Sequence, residues 1–314
     1  MKKWLIVLIV LSGLLLASVY IFFPGKIVIS QIQKFNCNIH SVTRFLMNEN
    51  KWNKWWPGNV KYDSVINKTE FEYGQNTYLI NEYKYNAMSI QIKNKNFLVN
   101  SSIYFIPLNV DTVQVEWKYT LVAGSNPFSR IRLHSLAKKI HHNLIDIIKS
   151  MKAFVEKQVN VYGVNFYETM SHDSTLVVTK STYSNYPSTT QVYNLISELK
   201  KYIADEGAKE NNFPMLNVKR LNEAEFETMV AISVNKYLPG NNKIFSRRFV
   251  PWKMQAADVI GGSYTVEDAL KQMKIYMNDY QKRAMALPFQ SLVTDRSKQP
   301  DTLKWITRIY TPIP

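Results

Sequence analysis

Five histidines, one cysteine and a thin set of carboxylates are what this chain offers for acid–base, nucleophilic or metal chemistry. The histidines are His40, His134, His141, His142 and His172. Adjacent helical residues do not face one another, so His141 and His142 cannot chelate one ion. His134 and His141 share a helix face two turns apart, too far to bind one metal without a third group. A metal centre is therefore not expected. A lone Cys37 excludes an internal disulfide framework and a cysteine-based metal site. There is no Gly-x-Ser-x-Gly elbow, no phosphate-cradling glycine loop and no His-Glu-x-x-His. Glu223, Glu225 and Glu227 alternate as on a solvent-facing strand, and Asp295-Arg296 reads as a local turn pair. No catalytic residue and no cofactor is assigned.

The residue that stands out is Arg308. Residues 304–314, Lys-Trp-Ile-Thr-Arg-Ile-Tyr-Thr-Pro-Ile-Pro, read as one strand rich in β-branched and aromatic side chains, with Pro312 ending the pairing. Alternation puts Ile306, Arg308 and Tyr310 on one face and Trp305, Thr307 and Ile309 on the other. Either the arginine face meets water, or Arg308 points into a concave, ligand-sized pocket. A guanidinium stays protonated, so it is no general base. In a pocket it needs an internal carboxylate, for which Glu267 and Asp295 are the candidates, or an anionic ligand gripped by its planar fork.

The elements that would position Arg308 form an internal repeat. Val230-Ala-Ile-Ser-Val234 aligns with Ile309-Tyr-Thr-Pro-Ile313, which sets Met229 against Arg308 and Ala231 against Tyr310. Pro214-Met-Leu-Asn-Val218 likewise matches Pro288-Phe-Gln-Ser-Leu292, and helical patterns at 189–206 and 266–283 precede the two copies. Two strand–helix–strand–strand units side by side share a groove. Tyr310, Trp252, Tyr264, Tyr183 and Phe289 are the aromatic candidates to line it around Arg308. Gly261-Gly262 lets the backbone bend where strand meets helix.

This order, with Gly261-Gly262-Ser-Tyr264 opening the second helix and Trp305-Ile-Thr-Arg-Ile-Tyr-Thr-Pro312 closing the unit, resembles the GyrI-like, AraC-type effector-binding domain over roughly 165–314. The resemblance implies a two-repeat α+β domain that binds a small-molecule effector. Many members carry a glutamate in the last strand that faces cationic ligands. Here the matching position is Arg308, which puts a cation preference in doubt and points to an anionic group instead. Some relatives are hydrolases whose pockets use that glutamate, so a hydrolase or cyclase-like enzyme acting on a small hydrophobic substrate is the alternative reading.

Upstream, residues 26–32 alternate as a strand, and Asn38 or Ser41 can cap a short helix carrying Val42, Phe45 and Leu46. Trp52, Trp55 and Trp56 then read as a plug at the end of a fold, with an interfacial aromatic belt as the competing account. Strand-like runs at 62–71, 77–85, 88–95, 98–106 and 112–122 follow, separated by turns such as Gly74-Gln-Asn76 and Asn94-Lys-Asn96. Leu136, Ile140, Leu144, Ile147, Met151 and Phe154 mark a long amphipathic helix. That order, with Trp52-Asn-Lys-Trp-Trp-Pro57 after the first helices, resembles the SRPBCC superfamily of START-like and polyketide-cyclase-like helix-grip domains. The resemblance implies an apolar cavity between helix and sheet. Tyr104, Trp117 and Tyr119 either line it or fill the core.

Residues 4–23 carry no charge, enough to cross about 30 Å of hydrocarbon as a helix. Lys2 and Lys3 ahead of it place the N-terminus in the cytoplasm by the positive-inside rule, leaving the rest outside the cell membrane. The segment 17–23, Ala-Ser-Val-Tyr-Ile-Phe-Phe, is poor cleavage chemistry, so an uncleaved anchor is preferred over a signal peptide. The net charge of +15 is spread along the 314 residues and densest between Arg130 and Lys157. A solvated helix face accounts for that region first, attraction to anionic lipid headgroups second; no nucleic-acid-reading motif appears. The expected protein is α+β, with an anchor at 1–25, a helix-grip domain at 26–158 and a GyrI-like domain at 159–314. It is expected to be a bacterial, membrane-anchored protein binding a partly apolar small molecule, with no nucleic acid partner.

Overall fold

An uninterrupted apolar run begins the chain, and in the computed structural model it is one helix, α1 (Lys2–Phe22). The structure describes residues 2–64, 67–95, 97–171, 175–248 and 251–314; His172 and Asn96, named above, lie outside them. The architecture is mixed α+β, with two antiparallel sheets. By contacts the chain divides into two units, Met1–Lys157 and Gln158–Pro314.

The first unit continues with β1 (Lys26–Phe35), α2 (Ile39–Leu46), a 3₁₀ turn (Glu49–Lys54), β2 (Asn59–Asp63), β3 (Lys68–Tyr73), β4 (Asn76–Lys84), β5 (Ala87–Asn94), β6 (Phe97–Pro107), β7 (Val113–Val122) and α3 (Pro127–Val155). The sheet order is β1-β7-β6-β5-β4-β3-β2. The first strand thus returns beside the last, Lys26 opposite Val122 and Phe35 opposite Val113. The run expected as one strand over 62–71 is a hairpin instead: β2 and β3 pair Asp63 with Lys68, and Asn67 takes the left-handed conformation (φ 52°) that asparagine tolerates.

Helix α3 starts at Asn126, whose side chain accepts from the Phe128 N–H, and buries Ala137, Ile140, Leu144, Ile147, Ile148, Met151 and Val155. It closes over the sheet tightly. The Tyr119 hydroxyl donates to the Ala137 carbonyl at 3.0 Å, and Trp117 Nε1 donates to Ser101 Oγ at 3.0 Å. Trp117 and Tyr119 are therefore core residues with their polar atoms satisfied, while Tyr104, on the opposite strand face, is exposed. Trp52, Trp55 and Trp56 are buried and cluster with Phe71 and Tyr78, ring centroids 4.7 Å apart for Trp52–Phe71 and 5.2 Å for Trp56–Tyr78. They plug one end of the fold. The foot of α1 is latched to the start of α3: the Tyr20 hydroxyl donates to the Ser125 carbonyl at 2.6 Å, and the Arg130 guanidinium lies 4.3 Å above the Tyr20 ring.

The second unit consists of α4 (Gln158–Tyr162), β8 (Tyr167–Met170), β9 (Thr175–Tyr183), α5 (Thr189–Asp205), β10 (Met215–Asn222), β11 (Glu225–Ser233), β12 (Ile244–Arg248), β13 (Lys253–Ile260), α6 (Ser263–Asp279), β14 (Phe289–Leu292) and β15 (Ile306–Ile313). The repeat is explicit: β9-α5-β10-β11, then β13-α6-β14-β15. The sheet order β12-β9-β11-β10-β14-β15-β13-β8 sets the copies back to back about the β10–β14 pair. The remaining strands are exchanged. β8 precedes the first copy but pairs with the second; β12 precedes the second but pairs with the first. Met170 stands opposite Lys253 and Thr175 opposite Arg248, five residues on along one segment and five back along the other. The two ends of the sheet thus share one register.

One face of this sheet is covered by helices. Leu195, Ile196, Leu199 and Ile203 of α5 pack on Val177, Leu216, Val230 and Ile232. Val266, Ala269, Met273 and Met277 of α6 pack on Ala257, Val259, Ile309 and Ile313. The sequence places α6 at 266–283, whereas it runs three to four residues earlier. Gly262 forms its N-cap, and Gln281, in the left-handed conformation (φ 56°), turns the chain out. Pro312 does not end the last strand: it still faces Met254. The four-residue β14 reaches only as far as Tyr310, so the missing Pro312 N–H costs no bond on that side.

Candidate functional site

The uncovered face of the second sheet carries the side chains of alternate register, and there the two copies differ. Across the pseudo-twofold, Tyr310 corresponds to Ala231, Phe289 to Met215, Arg308 to Met229 and Asp258 to Lys180, as the matching ladders require. In the second copy Tyr310 stacks on Phe289, ring centroids 5.1 Å apart, and fills its half of the groove. In the first copy Ala231 and Met215 leave that space open.

The open half is a cavity of about 460 Å³. Its floor is Leu176, Val178, Met215, Met229, Ala231 and Phe245, with Phe289 as the shared wall. Two cations stand among the lining residues. Lys180 is held by Glu227 at 3.0 Å. Arg247 is exposed and lies 5.1 Å above the Phe245 ring; among the described residues it pairs with no carboxylate. Apolar surface with a few placed charges is the usual make-up of a small-molecule site.

The filled half retains a smaller cavity of about 250 Å³, lined by Thr169, Met170, Ser171, Met254, Phe289, Ser291, Arg308 and Tyr310 among others. Arg308 does not reach into it with a free charge. Its Nε donates to Asp258 Oδ1 at 2.6 Å, from the position directly opposite on β13. The Tyr167 hydroxyl donates to Asp258 Oδ2 at 3.0 Å. The Asp258 bond raises the guanidinium pKa further above its ordinary value. Burial first, then the Asp258 bond, pushes the Tyr167 phenol up to about 12. The arginine and aspartate side chains remain 40% and 44% exposed, so their pair is wet and worth at most about 1 kcal/mol.

The internal carboxylate is thus Asp258, and neither candidate named from the sequence. Glu267 stands on α6, on the covered side of the sheet. Asp295 accepts from both the Ser297 backbone N–H and hydroxyl, which hold it below the usual carboxylate range, and pairs with Lys298 rather than Arg296. Of the aromatic candidates, Tyr310 and Phe289 meet at the groove with Arg308. Trp252 stands just before β13, its backbone bonded to Ser171, outside both linings. Tyr183 has the register of the covered face, opposite Phe226. Tyr264 is on the first turn of α6 and 83% exposed. The larger cavity's residues, Leu176, Val178, Phe245 and Arg247, were not anticipated. The alternation 176-178-180 was the available signal, and Ala231 opposite Tyr310 was the clue to which half is open.

No protein-family model matches the chain. No curated protein matches it either. Among solved structures, the EcmrR C-terminal domain resembles it with a TM-score of 0.42 at 11% identity, covering 48% of this chain and 98% of that one. SAV2435 bound to tetraphenylphosphonium gives 0.32 at 17%, covering 48% and 94%. A hydrolase from Listeria innocua gives 0.37 at 8%, covering 48% and 92%. With identities and TM-scores this low, none of these likenesses bears on what the groove binds.

Proposed function

We propose that the second unit is a GyrI-like, effector-binding domain that holds a partly apolar small molecule with an anionic group in the open half of its groove. The carrying observation is the asymmetry between Ala231 and Tyr310: one half of a symmetric groove is filled, the other left as an apolar cavity of about 460 Å³ with Lys180 and Arg247 at hand. That volume lies within the range, about 300–1,000 Å³, in which small-molecule sites fall. Arg247, which pairs with no carboxylate among the described residues, favours an acid over a cation.

The role is binding rather than catalysis, without a nucleic acid partner. The first unit is read as a helix-grip, SRPBCC-like domain, supported by its long helix over a seven-stranded sheet. Helix α1 is read as a membrane anchor. Its residues Lys3–Phe22 are long and apolar enough to cross a bilayer, with a mean hydropathy of 2.8. With Lys2 and Lys3 on the cytoplasmic side, the rest of the first unit after α1 and the whole second unit lie outside the cell membrane.

Calorimetry on the detergent-extracted chain tests the binding reading, with octanoate as the acid and tetraphenylphosphonium as a cation of ample apolar bulk. Octanoate should bind, and Ala231→Trp, which fills the open half, should abolish the heat. Preferential binding of the cation, or octanoate binding unchanged by Ala231→Trp, overturns it.

A further inference from the structure

Behind the groove, on the helix-covered side of the second sheet, lies a buried cation, Arg296, that forms no ion pair among the described residues. Arg296 follows β14 and is only 8% exposed. Its backbone N–H donates to the Tyr193 hydroxyl at 2.6 Å, its Nη2 donates to Thr307 Oγ1 at 2.7 Å, and the guanidinium lies 4.7 Å above the Trp305 ring. Its Nε is buried and donates to nothing. Among the described residues no carboxylate pairs with it, since Asp295 is turned to Ser297 and Lys298. Burial pulls its pKa below the ordinary value, but a guanidinium keeps its proton in a protein.

The side chain borders a small cavity that Tyr186, Thr189, Tyr193 and Ser263 also line. Thr189 and Ser263 are the first residues of α5 and α6, so two helix N-termini converge on it. Each carries partial positive charge on unsatisfied N–H groups. At α5 these are engaged by the Ser188–Gln191 capping box; at α6 the cap is Gly262, which offers no side chain. Glu267, further along α6, reaches Tyr186 electrostatically but forms no ion pair with Arg296. A buried charge left unpaired costs several kcal/mol. Arg296 and the uncapped N-terminus of α6 therefore bring positive charge to one small cavity, and among the described residues no carboxylate pairs with Arg296 there.

We propose that this cavity binds a small monatomic anion of chloride size, held by Arg296 and the N-terminus of α6. The cavity is small, about 10 Å³, which suits a monatomic ion better than a tetrahedral oxyanion. The site is separate from the groove, and its test does not depend on what the groove binds.

The full chain, purified in gluconate, is titrated with chloride at fixed ionic strength while thermal unfolding is followed. A saturable rise in Tm is expected with chloride, as for any ligand that binds only the folded state. Arg296→Met should weaken the apparent chloride affinity about tenfold to a hundredfold, the loss of a charge-assisted bond. Should that variant not fold, long-wavelength diffraction from wild-type crystals grown in chloride decides, by an anomalous peak next to Arg296 Nε. Absence of a chloride-specific rise in the wild type, an equal rise in Arg296→Met, or a water without anomalous signal at the site overturns the proposal.

Discussion

Arg308 and Asp258 face one another across neighbouring strands, Nε to Oδ1 at 2.6 Å, so the arginine marked by the sequence is neutralised from within its own sheet. Because the pair is wet, Arg308→Ala should change stability and octanoate affinity by no more than about 1 kcal/mol. Arg308→Glu sets two carboxylates opposite each other and should create tetraphenylphosphonium binding measurable by calorimetry. A large loss of octanoate affinity in Arg308→Ala would instead make this arginine the anion's contact.

Cys37 is buried, and burial, reinforced by the charge of Glu156, pushes its thiol up to about 12. Burial likewise pushes the Tyr78 phenol up to about 12. Unfolded thiols and phenols titrate near about 8.5 and about 10. Both groups keep their protons longer in the folded state, so their stabilisation is complete below those values and is lost as pH rises toward 12. The unfolding midpoint of the first unit should fall from about pH 9 upward. Cys37 should react with a maleimide at pH 7.5 only after denaturation. Rapid labelling of the folded chain would contradict the burial.

Gly58 leads into β2 beneath the tryptophan cluster. A Cβ there would lie 1.9 Å from the Glu72 carbonyl oxygen, which also accepts from Trp56 Nε1 at 3.1 Å. Backbone on both sides cannot yield cheaply. Gly58→Ala should destabilise the first unit by about 1–3 kcal/mol in urea unfolding; a neutral effect would mean that the β2–β3 edge is built differently.

Residues 158–314 contain a complete eight-stranded sheet with helices over one face. Expressed alone, this segment should unfold in one cooperative thermal transition. A fragment without such a transition would show that it needs the first unit.

Membrane topology is read by a fusion. Alkaline phosphatase placed after Pro314 should be active in a bacterial host if α1 enters with its lysines inside. An inactive fusion beside an active cytoplasmic reporter reverses the orientation.

Periodicity determined much of this protein. The apolar run of α1, the stripe of α3 and the repeated strand pairs are local patterns, and each is written within one element. The correspondence of Ala231 with Tyr310 was legible for the same reason, since both copies keep their own order. Partnership across the sheet was not. Asp258 lies fifty residues from Arg308 and meets it only because antiparallel pairing of β13 with β15 sets that register. Tyr183 and Tyr264 fell on the wrong sides because a one-residue change of parity, or the start of a helix, reverses which face a side chain takes. Arg296 looked like a turn residue beside Asp295. Only packing of α5, α6 and β15 around it made it a buried charge, because burial depends on what distant segments close over a residue.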